Sequence, residues 1–300
     1  MNATIFFGNG INRISDKPLD WNELLKRLAV YASVKVDLAE KPYTMIYEEL
    51  LLRSKSMDES NIKKYMQQEL QVTDISSLYE RLYSIGVTNY ITTNYDFSLE
   101  SIFEEKLYRK DFRKQETLYS IRTHITMSNQ DNDINIWHVH GDIERIPSIA
   151  LGLDHYCGSV SKIDAYLKGN YSYIEDKKEK RLNGIIAKLN GTESFDSVSW
   201  IELFYNTNVH IIGFGLDYSE IDIWWILNKR QRYIKSSKTN LFNKIYYYDI
   251  KPQDAKRKSK HDLLVGFGVD LITVDLVDNN WENATVNLLE KMEQNIQARR

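Results

Sequence analysis

The chain has 300 residues, of which 42% are hydrophobic and 27% charged, with a formal net charge of −3. That balance is ordinary for a globular protein, and it argues against nucleic acid as a main partner, because phosphate binding leaves a strong cationic excess. Cys157 is the one cysteine, which excludes an internal disulfide framework and a thiolate zinc site.

The first predicted strand is 4–7, the run Thr4-Ile5-Phe6-Phe7. No basic leader precedes it, and no run approaches the roughly 18 apolar residues of a membrane span. The expectation is a cytoplasmic protein, which the single cysteine also suits. Further strands are predicted at 89–92, 134–138, 209–212, 245–249 and 269–274. Those around Ile5, Ile211 and Val269 are continuous apolar runs, as in strands covered on both faces.

Helical patterns lie between. Trp21, Leu24, Leu25, Leu28 and Ala29 recur at helical spacing; 43–53, 59–70 and 76–85 look similar, with Pro42 suited to an early turn of the second. Ser219 reads as an N-cap for a helix over 220–232, with Asp222 as its capping-box partner. A last helix is predicted over 281–297. Alternating β and α predicts a Rossmann-like parallel sheet flanked by helices in a single domain over 1–300. Its α/β core comprises about 1–18, 89–142 and 209–300, and helical insertions occupy about 19–88 and 143–208. Within the second insertion, Asp176-Lys177-Lys178-Glu179-Lys180-Arg181 reads as a solvated helix face, and the basic stretch 251–261 as an exposed loop and helix start.

Four short segments follow predicted strands, at the carboxyl ends where α/β sheets bind ligands. Gly8-Asn9-Gly10, with Asn12 and Arg13 behind it, can let backbone N–H groups approach a pyrophosphate. The dinucleotide fingerprint wants a glycine where Arg13 stands, so a purely structural turn fits as well. Thr92-Thr93-Asn94-Tyr95-Asp96 can place an amide and a carboxylate in one cleft, or be an Asx turn leading into a helix. His138-Val139-His140-Gly141-Asp142 puts two imidazoles on one side of an extended chain. They can bind a metal with Asp142 and Glu144, act as a general base, or be structural. Gly213-Phe214-Gly215, followed by Leu216 and Asp217, is a second glycine turn before a helix; Asp217 or Asp222 can hold ribose hydroxyls or serve the helix start.

In this order the four segments resemble the sirtuin or SIR2-like family, and Thr92 to Asp96 resembles its prokaryotic antiphage-defence branch. The resemblance implies a Rossmann-like fold acting on NAD. His140, Asn94 and Asp96 would be catalytic, with Asn94 at the nicotinamide ribose and Asp96 near the nicotinamide. Gly8, Asn9, Gly10, Asn12, Arg13, Thr92, Thr93, Gly213, Gly215 and Asp217 would line the dinucleotide. Sirtuin deacetylases carry a four-cysteine zinc ribbon between the second pair of motifs. This chain has only Cys157 there, so no metal is expected and deacetylation gives way to NAD hydrolysis. The late Gly-Thr-Ser motif of sirtuins is Gly213-Phe214-Gly215 here. The resemblance further implies control by a separate sensor protein, such as a nucleoside-triphosphate-pyrophosphatase-like subunit, or by a homo-oligomer. The alternatives are a non-catalytic subunit that binds NAD or ADP-ribose, and a metal-dependent nucleotide hydrolase.

Overall fold

Ile5 and Phe7 point to one side of strand β1 (Ala3–Phe7) and Phe6 to the other, and the core divides accordingly. The computed structural model describes residues 2–14, 21–39, 41–55, 57–70, 75–113, 116, 118–236 and 241–299, with Arg13, Ile14 and Arg113 described in their backbone only. After β1 the strands are β2 (Asn89–Thr92), β3 (Arg109–Arg113), β4 (His124–Ser128), β5 (Asp133–His138), β6 (Ser172–Glu175), β7 (Lys178–Arg181), β8 (Asn208–Ile212), β9 (Ile245–Ile250) and β10 (Val269–Val274). Eight of them form one sheet in the order β10-β9-β8-β1-β2-β5-β4-β3, while β6 and β7 pair separately. From β10 to β5 all neighbours are parallel; β4 and β3 extend the sheet antiparallel.

The helices are α1 (Trp21–Tyr31), α2 (Tyr43–Arg53), α3 (Glu59–Glu69), α4 (Leu78–Ser84), α5 (Ser98–Glu105), α6 (Leu153–Leu167), α7 (Ile185–Leu189), α8 (Trp200–Asn206), α9 (Ile221–Lys235), α10 (Ala255–Gly266) and α11 (Trp281–Gln297). One sheet face packs Phe6, Ile91, Trp137 and Ile211 against Ile163 of α6, Phe204 of α8 and Ile226 of α9. The other packs Ile5, Phe7, Tyr90 and Ile212 against Leu82 of α4, Phe103 of α5 and Leu289 of α11. Each such side chain contributes about 1.5–3 kcal/mol on burial, so the two faces hold the sheet as a rigid platform.

A third cluster has a different address. Leu28 of α1, Leu50 of α2 and Met66 of α3 close around Tyr95, Ile149 and Leu151, residues that follow β2 and β5. The first insertion therefore splits: α4 covers a sheet face, while α1 to α3 cover the carboxyl ends of the strands. Among the described residues no helix is long and apolar enough to cross a membrane.

All six predicted strands are present. Three readings are corrected. Strands β3 and β4 were not anticipated, because Arg109-Lys110-Asp111-Phe112-Arg113 is a charged edge strand with one apolar residue. Residues 176–181 are not a helix face: Asp176 and Lys177 take φ of 51° and 62°, and the chain turns there into the hairpin β6–β7. Their side chains and those of β7 are solvated, so charge alone did not reveal the conformation. The second insertion is consequently helical with a hairpin inside it. The basic stretch 251–261 does lead into a helix, with Asp254 accepting the Arg257 N–H as the cap of α10.

Candidate active site

The sheet order sets the four segments side by side. Strands β8, β1, β2 and β5 are consecutive neighbours, so the chain leaves them at one end of the sheet, carrying residues 213–217, 8–12, 93–96 and 139–142. The crossovers run toward β2 on one side of β1 and toward β8 on the other. The gap between β1 and β8 is thus the point where strand order reverses, the usual ligand crevice of such sheets.

Both glycine turns sit at that gap, and they grip each other. Gly8 N–H donates to Ile212 O at 3.3 Å and Gly10 N–H to Gly213 O at 2.7 Å. A Cβ on Gly10 would stand 2.5 Å from Gly213 O, and Gly213 itself has φ +61°. Glycine is needed here for a close approach of two backbones. In this conformation the N–H groups of Gly8 and Gly10 are spent on the carbonyls of Ile212, the last residue of β8, and Gly213, the residue after it, rather than presented to a phosphate. Exposed Asn9 accepts from the Asn12 amide at 2.8 Å, and Asn12 is buried. The side chain of Arg13 lies outside the described residues. Gly215 is exposed, and its carbonyl accepts from Lys260 Nζ at 2.6 Å. Asp217 Oδ1 accepts both the N–H and the hydroxyl of Ser219. The expected Ser219 cap is therefore reversed: the hydroxyl serves Asp217, and Glu220 occupies the cap position of α9.

After β2, Thr92 Oγ1 accepts the Asn94 N–H at 3.0 Å, and the Asn94 amide donates to Tyr79 OH at 3.2 Å. Thr93 is partly buried. Asp96 Oδ1 accepts the Ser98 N–H at 3.0 Å, the Asx turn that starts α5. Burial raises the Asp96 carboxyl above its usual range, against the pull of Ser98.

The two histidines of the third segment do not share a side. Strand β5 ends at His138, and the backbone turns at residues 139–140. His138 Nδ1–H donates to Asn94 O at 2.8 Å, and its Nε2 bonds Glu100 Oε1 of α5 at 2.7 Å. Burial opposes charge on this ring, but Glu100 outweighs it and raises the pKa. Asp142 is bound by Arg145, at 2.6 Å from Nη2, and Glu144 reaches Lys110 at 3.3 Å. The alternative metal set His138, His140, Asp142 and Glu144 is thus distributed among four separate partners.

His140 faces α6 and α9 instead. Its Nε2 lies 3.1 Å from Asp222 Oδ2 and 3.7 Å from Glu220 Oε2. Its Nδ1 lies 3.4 Å from Tyr156 OH, which donates to Glu220 Oε2 at 3.0 Å. Asp222 Oδ2 also accepts the Ser159 hydroxyl at 3.0 Å, and Oδ1 the Ile223 N–H at 2.8 Å. Burial opposes charge on His140, yet Asp222 and Glu220 raise its pKa; burial pushes Glu220 up to about 7. One imidazole nitrogen and two carboxylate oxygens gather within 4.8 Å, near enough to share a cation. The hydrogen bonds already account for the arrangement.

This site is closed. His140, Asn94, Tyr95, Tyr156 and Asp222 are all buried. The cavity beside the His140-Gly141 turn, reached by His138, Gly141 and Ser159, measures about 20 Å³. That is room for about one water, against roughly 300–1,000 Å³ for ligand pockets. The α1–α3 layer packs on Tyr95, Ile149 and Leu151 in the neighbouring segments.

A family model for the SIR2-like domain matches residues 88–262. The chain belongs to the SIR2-like family. The matched span of this SIR2-like chain takes in the segments after β2, β5 and β8, together with α6 and α9, and so every residue gathered round His140. The Gly8–Gly10 turn and the α1–α3 layer lie outside it. No curated protein matches the chain. Sequence reasoning missed Tyr156, Ser159 and Glu220, and took Asp222 for a cap or a ribose ligand. Glu220 and Asp222, two acids opening a helix behind a strand and glycine turn, were a usable signal. Tyr156 and Ser159 carry no signal in the sequence.

Proposed function

We propose that this SIR2-like protein hydrolyses NAD to nicotinamide and ADP-ribose, and that it serves as an effector of bacterial antiphage defence by depleting NAD. One observation carries the reading: His140, the family's catalytic histidine by resemblance, is held by Asp222 and Glu220 from the segment after β8, and the strand it follows is the neighbour of the one that leads to Asn94.

The chemistry is a displacement at the anomeric carbon. The C1′–N bond breaks with its electron pair leaving on nicotinamide, and the ribose passes through an oxocarbenium-like state. A water oxygen then bonds C1′ while its proton goes to the imidazole of His140. General-base assistance of this kind contributes about 10²–10⁴-fold. The Asn94 amide would orient the water or a ribose hydroxyl, and Asp96 would lend negative charge near the nicotinamide. Gly8, Gly10, Gly213 and their neighbours would bound the dinucleotide. Positioning would supply most of the acceleration.

Because the site residues are buried, NAD requires a rearrangement of the elements packed around them. That need supports control by a partner protein, a sensor subunit or a further copy of the chain, that favours the open arrangement. The test is incubation of the purified protein with NAD, alone and with lysate of infected cells, following nicotinamide release by chromatography. Release that is lost in His140→Ala supports the proposal. NAD left intact in both incubations, with binding detected by calorimetry, would point to a non-catalytic NAD-binding subunit.

A further inference from the structure

We propose that Asp222 is a positioning residue for His140: it holds the neutral ring with its proton on Nε2, so that Nδ1 is the nitrogen that takes the proton of the attacking water. The inference rests on the hydrolase reading for its kinetic consequence but not for its geometry.

The observations fit together as a chain. His140 Nε2 points at Asp222 Oδ2 at 3.1 Å. A carboxylate only accepts, so the Nε2 proton belongs on the ring and Nε2 has no lone pair to offer. Asp222 is itself fixed on both oxygens, by the Ser159 hydroxyl and the Ile223 N–H, and it is wholly buried. A carboxylate so tethered defines the ring plane as well as the tautomer. The other nitrogen has a looser neighbour. Nδ1 is 3.4 Å from Tyr156 OH, a separation at the limit of a hydrogen bond, while the Tyr156 proton is committed to Glu220 at 3.0 Å. A substrate water or hydroxyl can therefore displace Tyr156 from Nδ1 more easily than it can displace Asp222 from Nε2.

The charged and titratable groups around the ring come from three elements. Glu220 and Asp222 belong to the start of α9, Tyr156 to α6, and Tyr95 to the segment after β2, where the two carboxylates act on its hydroxyl. The step balances without another reactant. Water oxygen bonds C1′, its proton passes to Nδ1, the doubly protonated ring is stabilised by Asp222, and nicotinamide leaves with the glycosidic electron pair.

The experiment has two arms that fail separately. Nitrogen-15 spectra of the wild-type protein, selectively labelled on histidine and assigned with His140→Gln, report which ring nitrogen carries the proton in the neutral form. The expected result is Nε2–H; a neutral ring protonated on Nδ1 overturns the proposal whatever the protein does to NAD. In the kinetic arm, Asp222→Asn keeps shape but can donate to Nε2 and reverse the tautomer. The expectation is a fall in kcat of about 10²–10⁴-fold with KM for NAD nearly unchanged, and partial recovery in Asp222→Glu. Equal kcat in wild type and Asp222→Asn overturns the positioning role. Should the wild type release no nicotinamide under any condition, the hydrolase reading fails and the spectra alone decide the tautomer. Should Asp222→Asn not fold, Ser159→Ala, which frees one oxygen of Asp222, replaces it with the same kcat-against-KM readout.

Discussion

The Nδ1–H of His138 donates to the carbonyl oxygen of Asn94 at 2.8 Å, tying the last residue of β5 to the segment after β2. With Nε2 bound to Glu100, this histidine has no nitrogen left for a metal or a proton transfer. Its work is to set the backbone from which the Asn94 side chain projects.

Removing that ring strands a buried carboxylate. His138→Ala should cost about 3–5 kcal/mol, the usual effect of breaking a buried pair from one side, read as a lower urea midpoint. Asn94 loses its anchor in the same variant, so any NAD hydrolysis should fall more than the loss of folded protein explains.

The pair also imposes a pH dependence of definite sign. The pKa of His138 is raised in the folded protein despite burial, because Glu100 outweighs it. The folded state therefore holds its proton more tightly than the unfolded one. This contribution is complete below the ordinary histidine value and is lost as pH rises through the raised one. Urea midpoints of wild type and Glu100→Gln should converge as pH rises from the ordinary histidine value through the raised one; parallel curves would refute the linkage.

His155 pushes the other way. Its Nδ1 accepts the N–H groups of Leu151 and Gly152, and its Nε2 meets Glu59 of α3. Burial and Lys63 lower its pKa, so its contribution is present above the ordinary histidine value and lost as pH falls toward the lowered one. Lys63 adds a second clasp, pairing with Glu59 at 2.8 Å and donating to Pro147 O at 3.3 Å. Lys63→Met should loosen α3 from the loop after His140 by about 1 kcal/mol, small because Glu59 is half exposed. Hydrogen exchange should then quicken in 59–69 and 146–152, and more so in mild acid.

The glycine turns give a paired test. Gly10→Ala puts a Cβ 2.5 Å from a backbone oxygen, whereas Gly215 has open space around it. The first should lose about 1–3 kcal/mol and the second stay within about 0.5 kcal/mol, measured as thermal midpoints.

His140→Ala and Asn94→Ala should each remove nicotinamide release by at least ~10²-fold while circular dichroism stays native. Dialysis against EDTA should leave release unchanged if hydrogen bonding alone organises His140, Glu220 and Asp222; restoration by an added divalent cation would overturn that.

The parallel core was open to reading because its strands are two-sided. Val209, Ile211 and Ile212 form an apolar run whatever they pack against, and the glycines after them announce a turn. The antiparallel edge was closed to reading, since Arg109 to Arg113 depends on pairing with β4 for its conformation. The hairpin at Asp176 and Lys177 was hidden for a related reason: charge says a segment is wet, not what shape it takes.

The sequence by itself determined the α/β alternation, the six parallel strands and four loops with chemistry in them, because hydrophobic period and glycine turns are local properties. Only the tertiary structure decided which loops meet, that His138 is a strut and His140 the buried partner of Asp222, and that α1 to α3 pack on the segments after β2 and β5. Those outcomes depend on strand order and on contacts between residues 82 positions apart in the chain, as for His140 and Asp222. Local pattern carries no record of such distances.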